Sequence, residues 1–200
     1  MIESYWILLY GYVAYYLIVT IGITYGYHRY FSHQEFKTNS IGEVVMLYCG
    51  LLCGCRSPLG WVGVHRMHHR YADTPKDPHS AKFQPWWKIL FSLWRVDSIP
   101  RKYIKDCLRN KRIIFFHKYR YHIYSITALL VYLLFGIPGI IILSEVFVLS
   151  YLGFGLLNLF GHDAEGPANR LWVNLIAPFE GNHKDHHEES NNAVASRANR

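Results

Sequence analysis

The sequence predicts an all-α integral membrane protein: about three transmembrane helices, re-entrant or interfacial amphipathic helices, and a cytoplasmic histidine-rich di-metal cap. Three observations lead there. Half of the 200 residues are hydrophobic (51%), and they gather into long, almost uncharged runs. The 21 Lys and Arg are confined to residues 29–120 and 170–200. Nine of the 12 histidines fall into three clusters and one outlier beside those apolar runs.

Each element follows in order. Tyr5 to Tyr27 carry no charge over roughly the length that about 20 apolar residues need to cross a bilayer, which predicts a first span at about 5–27. No basic region precedes it and no small-residue cleavage site follows, so a retained span is expected, not a removable signal. Ile41–Cys55 is apolar but shorter than a span and carries Glu43. If it crossed, His28 and His65 would lie on opposite faces, so a shallow or re-entrant helix is expected over about 41–55. Phe83–Trp94 is Trp-rich and followed by Arg95, Arg101 and Lys102, the composition of a helix lying among headgroups, and the interfacial stretch is drawn over about 83–110.

From Tyr121 to Phe160 a second apolar block is broken only by Gly136, Ile137, Pro138 and Gly139, a turn signal that predicts two spans, about 121–137 and 140–161, joined by a tight hairpin. Glu145 follows that turn by six residues and reads as an interfacial carboxylate without a catalytic role. Residues 1–200 read as one membrane-embedded domain whose last dozen polar residues fray.

A net charge of +7 would by itself allow a nucleic-acid partner, but the distribution of the charge excludes one. Loops rich in Lys and Arg stay on the cytoplasmic side, which puts Arg29–Arg120 and the C-terminal tail there, and the N-terminus and the 136–139 turn on the far side. Every histidine then falls on the cytoplasmic side or at a cytoplasmic helix end, giving a multi-pass protein with its active site on that face. Cys49, Cys53 and Cys55 lack the CxxC spacing, so packing is expected of them, not metal or redox chemistry.

The clusters HRMHH (65–69) and HKDHH (183–187) share the spacing i, i+3, i+4, so each helix is expected to offer three imidazoles to one point. His28 and His33 follow the first span, and Asn158 and His162, at i and i+4, end the last, so both pairs project past the bilayer. A zinc takes about four ligands, which makes nine histidines too many for one zinc and suited to two five- or six-coordinate metals such as iron; spacing alone leaves manganese or zinc open. Asp73, Asp77 and His79 lie just beyond the second cluster. Asp77 is the candidate to accept the free N–H of a ligating imidazole, with His79 beside it. Asp163, Asp185, Glu188 and Glu189 flank the other ligands and read equally well as solvated charges. His117 and His122 lack ligand spacing and are left out.

The strings GITYGYHRYFSH, SPLGWVGVHRMHHRYADTPKDPH, NLFGH and EGNHKDHH run in order from about Ile21 to His187. In them the chain resembles the membrane fatty acid desaturases, specifically the acyl-CoA or delta-9 type. The resemblance implies that His28, His33, His65, His68, His69, His162, His183, His186 and His187 ligate two iron ions, with Asn158 holding a water on one of them. It implies that Trp61, four residues before His65, lies at the bend of an acyl tunnel. The reaction implied is removal of two hydrogens from an acyl chain by O2 and two electrons, leaving a cis double bond. Substrates of that kind are acyl-CoA, acyl carrier protein or acyl-lipid esters.

The family's usual members carry four spans, the first of which is absent here, and the polar residues that shape the tunnel bend in animal members align with Cys55 and Phe154. No cytochrome b5 or ferredoxin-like segment is fused, so an external electron donor of either kind is expected on the basic cytoplasmic face. A related di-iron membrane hydroxylase would use much the same ligands, and an inactive metal-binding scaffold would keep them without turnover.

Overall fold

The structure, a computed structural model, describes residues 2–189; the tail expected to fray lies outside the described residues. Helix α1 (Ile2–Val19) continues unbroken into a stretch, Thr20–His33, where the hydrogen bonding widens to i→i+5. α2 (Ser40–Leu52) is started by Asn39, whose side chain accepts from the Gly42 N–H, and α3 (Pro58–Tyr71) by Ser57, which accepts from the Gly60 N–H with Pro58 in the first turn. Between them Gly54 takes φ 68° in the short turn that links α2 to α3. Among the described residues there is no strand, only an isolated bridge between His162 and Pro167.

The expected interfacial helix is largely irregular. Only α4 (Trp86–Leu90) and two 3₁₀ turns, Arg101–Tyr103 and Cys107–Arg109, are helical, because Pro85 and Pro100 interrupt the segment and Ser92 takes φ 47°.

α5 (Lys111–Phe160) begins ahead of the expected span, capped by Asn110, and holds one non-helical residue, Gly136, at φ 61° and ψ −150°. The helix folds back there: Tyr124 and Phe147 face one another across the hairpin with ring centroids 6.1 Å apart. The turn therefore takes one residue where four were expected. Glycine alone tolerates that φ readily, and Pro138 sits in the first turn of the returning arm, where its missing N–H has no partner to lose. Glu145 consequently lies nine residues beyond the break, ~13 Å along the helix at ~1.5 Å per residue. Its carboxylate rests against α1 where Gly11 offers no Cβ. This is the interior of a helix pair, not the turn end that the sequence suggested.

Two helices are long and apolar enough to cross a membrane, Tyr5–His33 and Lys111–Phe160. Tyr15, Val19, Ile23 and Tyr27 of the first pack with Leu47, Val62, Ile113 and Val146 in the main core. Cys53 joins that core, and the cysteines are free. Large apolar side chains elsewhere on these helices face outward, Leu134 at 72% exposure among them.

One side chain locks the histidine-bearing elements together. Arg66 of α3 donates to the carbonyls of Phe31 (2.7 Å), Ser32 (3.0 Å) and Tyr103 (2.8 Å) and to both oxygens of Asp106 (2.7 and 2.8 Å). These bonds tie the end of the first long helix, α3 and the 3₁₀ segment into one unit. The guanidinium in turn holds the Asp106 carboxyl below its usual range against the opposing effect of burial.

Candidate metal centre

In an α-helix His33 would stand about 140° round the axis from His28, because each residue advances ~100°. Under i→i+5 bonding the two are one turn apart on the same side, with ring centroids 4.9 Å apart. The wide turn thus brings an HxxxxH spacing into a pair of neighbouring imidazoles.

Nine imidazoles come together in two groups whose ring nitrogens all lie within 4.8 Å of one another. His28, His33, His65, His69 and His186 form the first, and His68, His162, His183 and His187 the second. This corrects the expectation that each HxxHH triplet aims at one point. The i and i+4 histidines of each triplet share one group and the middle one serves the other: His65 and His69 against His68, His183 and His187 against His186. Adjacent helical positions diverge by ~100°, so the i+3 and i+4 rings point to different centres.

Carboxylates hold the second nitrogens of three of these rings. His68 Nδ1–H donates to Asp77 at 2.9 Å, His28 Nδ1–H to Glu180 at 2.8 Å, and His162 Nδ1–H to Asp73 at 3.0 Å. Asp77 also accepts the backbone N–H of His79 (3.1 Å) and of Asp73 (3.1 Å). Burial alone would raise the Asp77 carboxyl, but the hydrogen bond and charge of His68, together with His79, outweigh it and bring it down to about 2. His79 stacks on His68 with centroids 4.2 Å apart and makes a smaller group with His68 and Asp77.

Sequence reasoning missed Glu180, which stands three residues before His183 and meets His28 across 152 residues. Asp163 pairs instead with Arg170, Asp185 with Asn169, and His117 with Ser57. Glu188 and Glu189 are exposed.

Burial, reinforced by neighbouring imidazoles, pushes His65, His69 and His183 well below the ordinary imidazole range and lowers His162, His186 and His187 as well. At neutral pH these rings are therefore uncharged, the form in which imidazole binds a metal. Whether a cation fits can be tested on the nitrogens themselves. His68 Nε2 is buried and without a hydrogen-bond partner among the described residues. The Nε2 pairs His28–His186 and His33–His65 are 2.8 Å apart, and His69–His186, His162–His183 and His183–His187 are 3.1 Å apart. Two nitrogens bound to one ion at about 2.1 Å lie ~3.0 Å apart at a right angle and ~3.4 Å apart at the tetrahedral angle. The observed spacings match the right-angled arrangement of five- and six-coordinate metals, and the residues fit two such ions.

A cavity of about 330 Å³ opens on this cluster, and His28, His65, His68 and His183 share its lining with Trp61, Val64, Phe154, Leu157 and Asn158. Trp61 stacks on His65 with centroids 4.8 Å apart and planes inclined by 19°, and meets Phe154 edge-on at 6.5 Å. Asn158, in the last turn of α5, lines the cavity as well, although the helix ends at Phe160, short of His162.

The sequence profile of the fatty acid desaturases matches residues 4–193. The sn-1 stearoyl-lipid 9-desaturase of Synechocystis sp. is 32% identical over 190 residues, covering 88% of this chain and 59% of that protein. The acyl-CoA C20 Delta5-desaturase of Anemone leveillei is 30% identical over 92% of this chain and 63% of its own length. Over 93 residues, 46% of this chain, identity to the Delta-9 acyl-lipid desaturase 2 of Arabidopsis thaliana reaches 40%, within 30% of that protein. The chain thus spans less than two thirds of the length of these relatives. With the profile matched over nearly all its residues, the chain belongs to the fatty acid desaturase family.

Proposed function

We propose that the protein is an O2-dependent di-iron fatty acyl desaturase that introduces a cis double bond into a saturated acyl chain, with delta-9-like position. The observation that carries this is the pair of histidine groups, five and four nitrogens strong, opening on one apolar-walled cavity. His28, His33, His65, His69 and His186 would hold one iron. His68, His162, His183 and His187 would hold the other, with Asn158 contributing through a water. When bound, the iron pair supplies the activation of O2 that, with two electrons, takes two hydrogens from the acyl chain.

The chain's own residues do the rest. Glu180, Asp77 and Asp73 keep the Nδ1 protons of His28, His68 and His162 in place, so each of these rings turns Nε2 toward its group. Trp61, Val64, Phe154 and Leu157 form a dry wall against which methylenes lie, excluding water from a strongly oxidising site. Trp61, stacked on His65, sets where the chain passes the metals and so which carbons face them.

The outward apolar faces of the two long helices and the one-sided placement of Lys and Arg support a multi-pass integral membrane protein with this site on the cytoplasmic side. The acyl substrate is carried by CoA, acyl carrier protein or a lipid; relatives named for acyl-lipid and for acyl-CoA substrates support this range. Electrons come from a ferredoxin or cytochrome b5 meeting the basic face.

The test is the fatty acid profile, with double-bond localisation, of cells expressing this chain beside cells expressing His68→Ala. A new monounsaturated acid that disappears in the variant is expected. A hydroxylated acid would move the assignment to a membrane hydroxylase. Iron-loaded protein that makes no product when supplied with ferredoxin or cytochrome b5 would leave a metal-binding scaffold.

A further inference from the structure

Among the described residues that line the cavity, Arg56 alone carries a fixed positive charge. It sits in the short link between α2 and α3 with φ 144°, a region that a Cβ disfavours and that is held only where the surroundings demand it. Its guanidinium lies 4.1 Å over the ring of Trp94 and donates to the Trp94 carbonyl at 3.3 Å. No carboxylate among the described residues lies within ion-pair distance of it, and the acidic side chain in the same cavity, Glu180, is engaged by His28. Arg66 makes the contrast, with its donors spent on three carbonyls and Asp106. A guanidinium has five N–H donors, so Arg56 keeps several for a group that enters the cavity.

A chain of stacked and tilted rings leads from Arg56 to the histidines. Trp94, on which it stacks, is 4.9 Å from His79, and His79 is 4.2 Å from His68. The cation and the second histidine group therefore border the same cavity, with Trp61, Phe154 and Leu157 supplying apolar wall to it.

We infer that Arg56 anchors the polar end of the substrate: it binds an oxyanion, a carboxylate or a phosphate, on a ligand whose hydrocarbon tail runs along the apolar wall toward the histidines. This rests on the desaturase reading and deepens it. A planar guanidinium matches two oxygens of one oxyanion at once, while the stacked Trp94 keeps the fork from turning. An alkyl chain with C–C bonds of ~1.5 Å advances ~1.25 Å per carbon, so holding one end counts off the carbons that reach the metals. Arg56 is on this account a specificity-determining residue, and its loss lets the chain slip.

The test uses the full chain, iron-loaded, in a neutral detergent. Displacement of a fluorescent fatty acid is measured with stearate, 1-stearoyl-glycerol-3-phosphate, methyl stearate and octadecanol. At least one of the two charged ligands should bind about tenfold more tightly than both neutral ones, and Arg56→Gln should reduce that preference to about twofold or less. Arg56→Lys should restore part of it, with iron content and melting temperature unchanged. Preference for stearate identifies a carboxylate, and preference for the phosphate a headgroup. Equal binding of charged and neutral ligands by the natural protein, or an undiminished preference in Arg56→Gln, would overturn the inference. In cells the Arg56→Gln product should spread over neighbouring double-bond positions. A desaturated product without charge preference sinks only the anchor, whereas absence of any product in the natural protein sinks the desaturase reading and leaves the binding result to stand by itself.

Discussion

Three carboxylates hold imidazole N–H groups at the cluster, and they differ in how far the chain travels to deliver them. Asp77 meets His68 from nine residues away and Glu180 meets His28 from 152. Substituting Asp77→Asn keeps the shape but removes the charge, and metal affinity should fall about 10- to 100-fold by chelator competition. Asp77 also has a pH signature. Its folded carboxyl titrates at about 2, below the ~3.9 of an unfolded aspartate, so the stability it adds is present above pH ~4 and is lost as pH falls toward 2.

The buried histidines act in a higher window. Their pKa values are depressed, so below the ordinary imidazole value of ~6.5 the unfolded chain takes up protons that the folded cluster refuses. The melting temperature of metal-free protein should therefore drop steadily from pH 7 to pH 5, and a flat profile would contradict it. At this scale the histidines that gather were legible in the sequence because residues sharing a helix leave a local spacing. Glu180 was not, because a contact made by tertiary folding leaves none.

Elements were legible where a break is chemical and illegible where it is geometric. Gly136 and Pro138 announced the hairpin, and Asn39, Ser57 and Asn110 are ordinary helix starters. The widened turn from Thr20 to His33 left no trace, because a change from i→i+4 to i→i+5 bonding is a matter of backbone geometry and needs no particular residue to mark it. The interfacial helix was overdrawn for a related reason: its composition suited the interface, but its prolines did not suit a helix. Close approach is the other feature of this scale. A Cβ on Gly22 would run into the Gly50 backbone where the first long helix crosses α2. Gly22→Ala should cost about 1–3 kcal/mol, as overpacking of a filled contact does, and thermal unfolding in detergent would register it. An unchanged melting point would mean that the two helices part easily.

For the molecule as a whole, the fold class and the pairing of histidines with apolar runs came from composition and charge. The division of labour between the two metal groups came only from the three-dimensional arrangement. The proposed topology makes a direct prediction. In a background lacking the four cysteines, a cysteine at Ile137 should react with an impermeant thiol reagent from the non-cytoplasmic side, and one at Lys118 only after permeabilisation. Labelling of both from one side would refute the assigned orientation. The crossing of the HxxHH triplets also orders events during synthesis. His186 completes one group and His183 and His187 the other, so both reach their full set of histidines only after residues beyond 182 have been made.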